Sequence, residues 1–145
     1  MSFFISIDPG KHKCGLLLAD SKSRKVIEAG ISSLHKFSDF ILLWNEDYKI
    51  NKIIIGNGTN CNYVEKELKQ KNILNLSYVN ERGSTLRARF RYWEIWPPNY
   101  FIRWLPKESL FPPENLDVIV ALILLEDFLS LTFIWPDKVD IKTWL

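Results

Sequence analysis

Three carboxylates stand where chemistry would need them. Asp8 closes an apolar run, Phe3–Asp8, directly before Pro9-Gly10. Glu81 follows a second such run, Leu74–Val79. Asp117 opens an apolar helix beside Leu116, Val118 and Ile119. Acids at strand ends and at the start of a buried helix can converge in one cleft. Converged carboxylates repel one another and hold on to protons unless a cation neutralises them. Hard oxygen donors of this kind select Mg²⁺ or Mn²⁺. Two such ions about 4 Å apart activate a water and stabilise the leaving oxygen in phosphodiester hydrolysis. Each acid also has a plainer explanation. Asp8 suits a turn before Pro-Gly, Asp117 suits a helix N-terminus, and Glu81 can pair with Arg82 on the surface. Only the joint placement carries weight.

A second set of residues points to phosphate. Five of the six arginines, Arg82, Arg87, Arg89, Arg91 and Arg103, fall in one segment. Residues 82–107 hold six basic side chains against one acid, Glu94, whereas residues 108–145 hold seven acids against two lysines. Interleaved with the arginines are Phe90, Tyr92, Trp93, Trp96, Tyr100, Phe101 and Trp104. Charge for a backbone and rings for unstacked bases are what a nucleic-acid surface uses. The competing reading puts the rings in a core or a subunit interface, with the arginines along its rim. Gly10 would let the turn after Asp8 approach a phosphate backbone closely. His12 and His35 lack a zinc spacing, although His12 lies near the acids. Cys14 sits within an apolar run and is expected to be buried.

The elements that must position these residues follow from periodicity. Phe3–Asp8, Cys14–Asp20 and Lys25–Ile31 read as three strands joined by short turns, an antiparallel meander. Ser38–Tyr48 reads as a helix with Ser38 as its N-cap. Lys52–Ile55 is a short apolar strand closed by Gly56-Asn57-Gly58-Thr59. Asn62–Lys71 is a charged helix, Leu74–Val79 a fifth strand, and Ser84–Tyr92 a further helix. Residues 93–114 are proline-rich and irregular. Leu116–Leu131 is a helix apolar nearly all round, expected to pack on both sides. The tail, 132–145, reads as weakly structured. A meander followed by strand–helix alternation predicts an α/β fold: a mixed sheet with helices on its faces. If the first strand is central, the first and fifth strands can lie side by side, with the last helix crossing their ends.

The chain has 145 residues, 47% hydrophobic and 25% charged, with a net charge of +2. These values fit one globular domain and exclude a disordered chain. No apolar run reaches the ~18 residues of a membrane span, and the N-terminus lacks the basic start of a signal peptide. Two cysteines give neither a disulfide framework nor a CxxC pair. A reduced, cytoplasmic protein is expected.

The acid-bearing segments resemble a family. Ile5–Asp20, with an apolar strand, Asp-x-Gly, basic residues, a glycine, a second apolar strand and a closing Asp, resembles the opening of the YqgF/RuvX group of RuvC-like, ribonuclease-H-fold nucleases. Asn80-Glu-Arg-Gly-Ser-Thr-Leu-Arg-Ala88 resembles that group's Asp-Glu-Arg-x-Thr-Thr-x-x-Ala block. Leu116–Leu129 resembles its terminal helix. The resemblance implies a ribonuclease-H-like fold, with a three-strand antiparallel meander, two parallel strands and flanking helices. It further implies a metal-dependent nuclease of Holliday-junction-resolvase type, whose bacterial relatives are associated with pre-16S ribosomal RNA processing. Asp8, Glu81 and Asp117 would then be the catalytic, metal-binding triad. Ser84 and Thr85 would occupy the Thr-Thr positions, and Lys11 and Lys13 the basic positions that reach phosphate. Ser84 would also cap the helix that carries Arg87 and Arg91.

The pattern departs from the family at several points. Asn80 replaces an Asp, and Gly56-Asn57-Gly58-Thr59 replaces a Gly-Leu-Pro turn. Val120 and Ala121 stand where RuvC-type enzymes carry a second acid, and the 93–114 segment is longer than the usual link.

The reading is thus a Mg²⁺- or Mn²⁺-dependent endonuclease acting on branched DNA or structured RNA, with Arg82, Arg87 and Arg91 holding the backbone beside Gly10, Lys11, Lys13, Ser84 and Thr85. Two symmetric cuts in a junction need two active sites, which a homodimer supplies; the 93–114 segment is its candidate interface. The alternative is a module that keeps the fold and binds nucleic acid or protein without turnover, a reading favoured by the small net charge. A kinase-like ATPase half, which also opens with Asp-x-Gly, is disfavoured because the chain is too short for two such domains.

Overall fold

The computed structural model describes residues 1–99, 104–106 and 116–144. The chain runs through β1 (Phe3–Pro9), β2 (Lys13–Asp20), β3 (Lys25–Ser33), α1 (Phe37–Asp47), β4 (Ile50–Gly56), α2 (Cys61–Gln70), β5 (Leu76–Val79), α3 (Ser84–Ile95), α4 (Asp117–Leu129) and β6 (Ile141–Trp144). The six strands form one sheet in the order β5-β4-β1-β2-β3-β6. β1, β2 and β3 pair antiparallel, as their short connections dictate. β4 joins β1 in parallel, β5 joins β4 in parallel, and β6 joins β3 in parallel. The helices between the parallel strands are the crossovers such pairing requires.

The alternation along β1 divides the core into two layers. Ile5 and Ile7 point to the face covered by α1 and α2, where they meet Leu16, Leu18, Ile53, Ile55, Phe37, Ile41 and Leu68. Phe4 lies on the opposite face with Leu17, Ala19 and Ile54, under α4 and α3. Ser6 and Asp8 share that second face by the two-residue period of the strand. α4 is buried along Val118–Leu125 because the sheet lies on one side of it and α3 on the other. No helix among the described residues is long and apolar enough to cross a membrane.

Several local expectations are corrected. β4 lies between β1 and β5, so the first and fifth strands are not neighbours. Ser38 is not an N-cap. Lys36 holds that position, and Ser38 is buried as the second residue of α1. Ser84 is not a cap either: Gly83, in the left-handed region at φ 74°, precedes α3, and Ser84 is its buried first residue. The tail is structured. Phe133 and Trp135 enter the core, and β6 adds a sixth strand. Trp144 stacks on Phe40 with ring centroids 4.4 Å apart. Much of the 93–114 segment, with Tyr100, Phe101, Arg103 and the proposed dimer interface, lies outside the described residues.

Candidate metal centre

The sheet brings the carboxyl ends of β1, β4 and β5 to one edge, and the N-terminus of α4 joins them there. Asp8 pairs with Gly15 in the β1–β2 ladder. Side chains of opposed residues point to the same face, so Asp8 faces the place where Gly15 has no side chain. The α4 backbone fills that place. A Cβ on Gly15 would collide with the carbonyl of Asp117 and lie 2.8 Å from the amide nitrogen of Val118. This close approach sets Asp117 beside Asp8.

Glu81 reaches the same point from two strands away. It must cross the end of β4, and it does so where that strand has glycines. A Cβ on Gly56 would overlap the Glu81 carboxylate and lie 2.7 Å from its Cγ and Cδ; a Cβ on Gly58 would overlap it from the other side. Asn57, between the two glycines, accepts a hydrogen bond from the Glu81 amide through Oδ1 at 3.2 Å. The turn therefore cradles both the side chain and the backbone of Glu81. Asn60 ties in the β1–β2 hairpin: its Nδ2 donates to the carbonyls of Gly10 at 2.8 Å and Lys11 at 3.2 Å. Gly56-Asn57-Gly58 reads in the sequence as the turn that closes the fourth strand; that it cradles Glu81, and that Asn60 ties in the hairpin, is visible only in the fold.

Electrostatics mark the site as under-neutralised. Burial pushes the Asp8 carboxyl up to about 9, with the adjacent Glu81 and then Asp117 adding to the rise. Glu81 is also raised, by burial, against the contrary pull of its contact with Asp8 and of the Gly58 amide. Asp117 is raised by burial, and Lys13 works in the opposite sense. Asp8 and Glu81 lie within hydrogen-bonding reach of each other. Two carboxylates offer no donor between them unless one keeps its proton, and Oε1 of Glu81 is left buried with no hydrogen-bond partner. On the same face of β1, the buried Oγ of Ser6 is also unpartnered. Burial, followed by the charges of Asp8 and Asp117, pushes the Cys14 thiol up to about 12, so it is no nucleophile.

A divalent cation fits the Asp8–Glu81 pair. The donors are hard oxygens, Asp8 is buried and Glu81 half-buried, and the enclosed Oε1 of Glu81 lacks any partner. Among the described residues, however, no three acidic, His or Cys side chains stand as a formed ligand set. Asp117 acts on the pair through its charge, which adds to the rise at Asp8.

The other predicted residues divide. Lys11 and Lys13 are exposed on the hairpin that follows Asp8. Gly10 serves to close that hairpin, donating its amide to the Lys13 carbonyl at 2.9 Å. Arg82 and Thr85 are exposed at the turn after Glu81, and Ser84 is buried. Arg87 and Arg91 face α4 instead of a ligand. Both Arg87 guanidinium nitrogens Nη1 and Nη2 donate to Asp127 at 2.7 Å. Arg91 donates through Nε and Nη2 to Glu126 at 3.0 and 2.9 Å, and through Nη2 to the Phe133 carbonyl at 2.8 Å. The nearby rings are packed rather than displayed: Tyr92 and Trp93 are buried, and Trp96 meets Trp135. In this segment the packing explanation holds for those rings; Arg91 is a nearly buried clamp on Glu126, and Arg87 is an exposed partner of Asp127.

No family model and no curated relative matches the chain. Among solved structures it is similar to T. thermophilus RuvC, determined in complex with a Holliday junction substrate. The TM-score is 0.52 at 11% identity, over 90% of this chain and 95% of that one. An Aquifex aeolicus member of the Ppx/GppA family gives a TM-score of 0.41 at 13% identity, over 68% of this chain and 41% of that one. The RuvC likeness shows the architecture alone: a mixed sheet with helices on both faces, of the ribonuclease-H-like fold.

Proposed function

We propose that the chain is a divalent-metal-dependent nuclease of the YqgF/RuvX type that hydrolyses phosphodiester bonds in branched DNA or structured RNA. The observation that carries this reading is the pairing of buried Asp8 with half-buried Glu81, whose Oε1 is enclosed without a partner, at the end of the central strand beside Asp117. An unneutralised acid cluster is costly to keep, and a cation offsets that cost. Asp8 and Glu81 would hold Mg²⁺ or Mn²⁺, and Asp117 would strengthen the local field that retains it. When bound, such an ion supplies Lewis acidity at phosphate and lowers the pKa of water. The chain does the rest. Lys11 and Lys13 position a phosphate at the hairpin, and the exposed Arg82 and Thr85 flank it from the α3 side. The RuvC similarity supports nucleic acid as the partner, since that protein was captured on a junction.

The test is cleavage of a four-way junction and of a precursor ribosomal RNA end, with and without Mg²⁺ or Mn²⁺, by wild type and Asp8→Asn. Metal-dependent cutting that disappears in Asp8→Asn is expected. Equal activity, or equal inertness, of the two proteins on both substrates would sink the assignment. A second reading, a binding module without turnover, is favoured by the lack of a formed three-residue ligand set among the described residues; metal-independent binding without any cleavage would select it.

A further inference from the structure

Two adjoining depressions meet beside the acid cluster, with Asn60 and Tyr63 as their common wall. One, of about 420 Å³, is lined further by Lys11, His12, Leu34 and His35 and contains no acid. The other, of about 470 Å³, continues along Asn57, Gly58, Asn62 and Tyr78. Its single carboxylate, Glu65, is already engaged by Lys69 at 2.6 Å. Together they form a trough whose first half offers ammonium and imidazole groups and whose second half offers side-chain amides and two exposed rings. Tyr63 stands 38% exposed and Tyr78 44% exposed. Both ends are anchored to the acids. Asn60 fixes the Gly10-Lys11 backbone, two residues beyond Asp8. Asn57 binds the amide of Glu81.

We infer that this trough holds a single-stranded stretch of the nucleic acid immediately beside the scissile phosphate. The inference rests on the nuclease reading for the scissile point but not for binding itself. Cationic groups that track a backbone, with rings on which bases stack, are the physical recipe for single-strand recognition. The amides of Asn57 and Asn62 add hydrogen-bonding edges for an unpaired base. A fully paired duplex has its base faces stacked and its Watson–Crick edges paired. The trough therefore favours a substrate with a frayed, flanking or unpaired strand.

The experiment is fluorescence anisotropy in chelator, so that no cutting occurs. A short duplex with a single-stranded flank is compared with the same duplex fully paired. The flank is expected to tighten wild-type binding roughly tenfold, about the contribution of one stacked base. Tyr63→Ala should remove most of that gain and Tyr63→Phe should keep it. Lys11→Ala should lower the slope of log affinity against log salt by about one. Lys66→Ala, on α2 but outside the trough, should leave the flank gain unchanged. No flank gain in wild type, a gain that survives Tyr63→Ala, or an equal loss in Lys66→Ala would each overturn the inference. The two proposals fail separately. Flank-dependent binding without any cleavage removes the nuclease reading and leaves the trough. Cleavage without flank-dependent binding does the reverse.

Discussion

The Glu81 carboxylate occupies the space that a side chain on Gly56 would need. Glu81 follows β5 while Asp8 ends β1, and β4 runs between them. Only a strand end without side chains allows the acid to pass. Gly56→Ala places a methyl 2.7 Å from the Glu81 Cγ and Cδ. The acid must swing away, since overpacking of this kind costs about 1–3 kcal/mol. Expected is at least a tenfold loss of metal-dependent cleavage with the far-UV circular dichroism unchanged. Retained activity would show that Glu81 is not needed where it lies.

Asp8 makes the protein less stable as pH rises. Its folded pKa, near 9, lies above its ordinary value of 3.8. Between those values the folded chain holds a proton that the unfolded chain has lost. Stability from this group is therefore complete below about pH 4 and declines as pH climbs towards 9. Asp8→Asn removes the penalty. In metal-free buffer at pH 8 the variant should melt several degrees above wild type, and the gap should close near pH 4. Mg²⁺ should raise the wild-type Tm at pH 8 by mass action and leave Asp8→Asn unmoved. A variant that melts below wild type at pH 8 contradicts the crowding of these acids.

How much of this was legible in the sequence depends on range. The meander was readable because its strands are apolar runs separated by short turns, a purely local signal. The three acids were readable as residues at element ends. That β4 would separate β1 from β5 was not readable, because parallel pairing is set by crossovers many residues long. β6 escaped for a similar reason. Ile141–Trp144 is four residues with two exposed, and its strand identity comes from β3, more than 100 residues earlier. The arginine–aromatic segment misled because composition does not show direction. Arg91 and Tyr92 are adjacent in sequence, yet one clamps Glu126 and the other enters the core.

That clamp gives a stability prediction. Arg91 and Glu126 are 14% and 12% exposed, and Glu126 also accepts the Phe133 amide at 2.8 Å. Removing one partner strands a nearly buried charge, so Arg91→Ala should cost about 3 kcal/mol in denaturant unfolding. Arg87 and Asp127 are 53% and 36% exposed, and Arg87→Ala should cost under about 1 kcal/mol. For the protein that remains folded, neither change should weaken nucleic-acid binding as Lys11→Ala does. A large affinity loss in folded Arg87→Ala would return that residue to the nucleic-acid surface.

Gly15 separates the contribution of Asp117 from that of the Asp8–Glu81 pair. The α4 backbone rests on Gly15 at Asp117 and Val118, so Gly15→Ala must push the start of α4 off the sheet. Asp8 and Glu81 sit on β1 and beyond β5 and do not depend on that contact. The Mg²⁺-induced rise in Tm should therefore persist in Gly15→Ala, because the pair that would hold the ion is intact. Cleavage should fall by the same factor as in Asp117→Asn, since both changes remove one carboxylate from its place beside Asp8. Combining the two should add little, as expected of residues acting through one contact. If Gly15→Ala cleaves as wild type does while Asp117→Asn is inert, then Asp117 works from a position that does not require the packing of α4 on Gly15. If Gly15→Ala also abolishes the Mg²⁺ shift, the three acids form one interdependent cluster and the division into a metal-holding pair and a neighbouring acid is wrong.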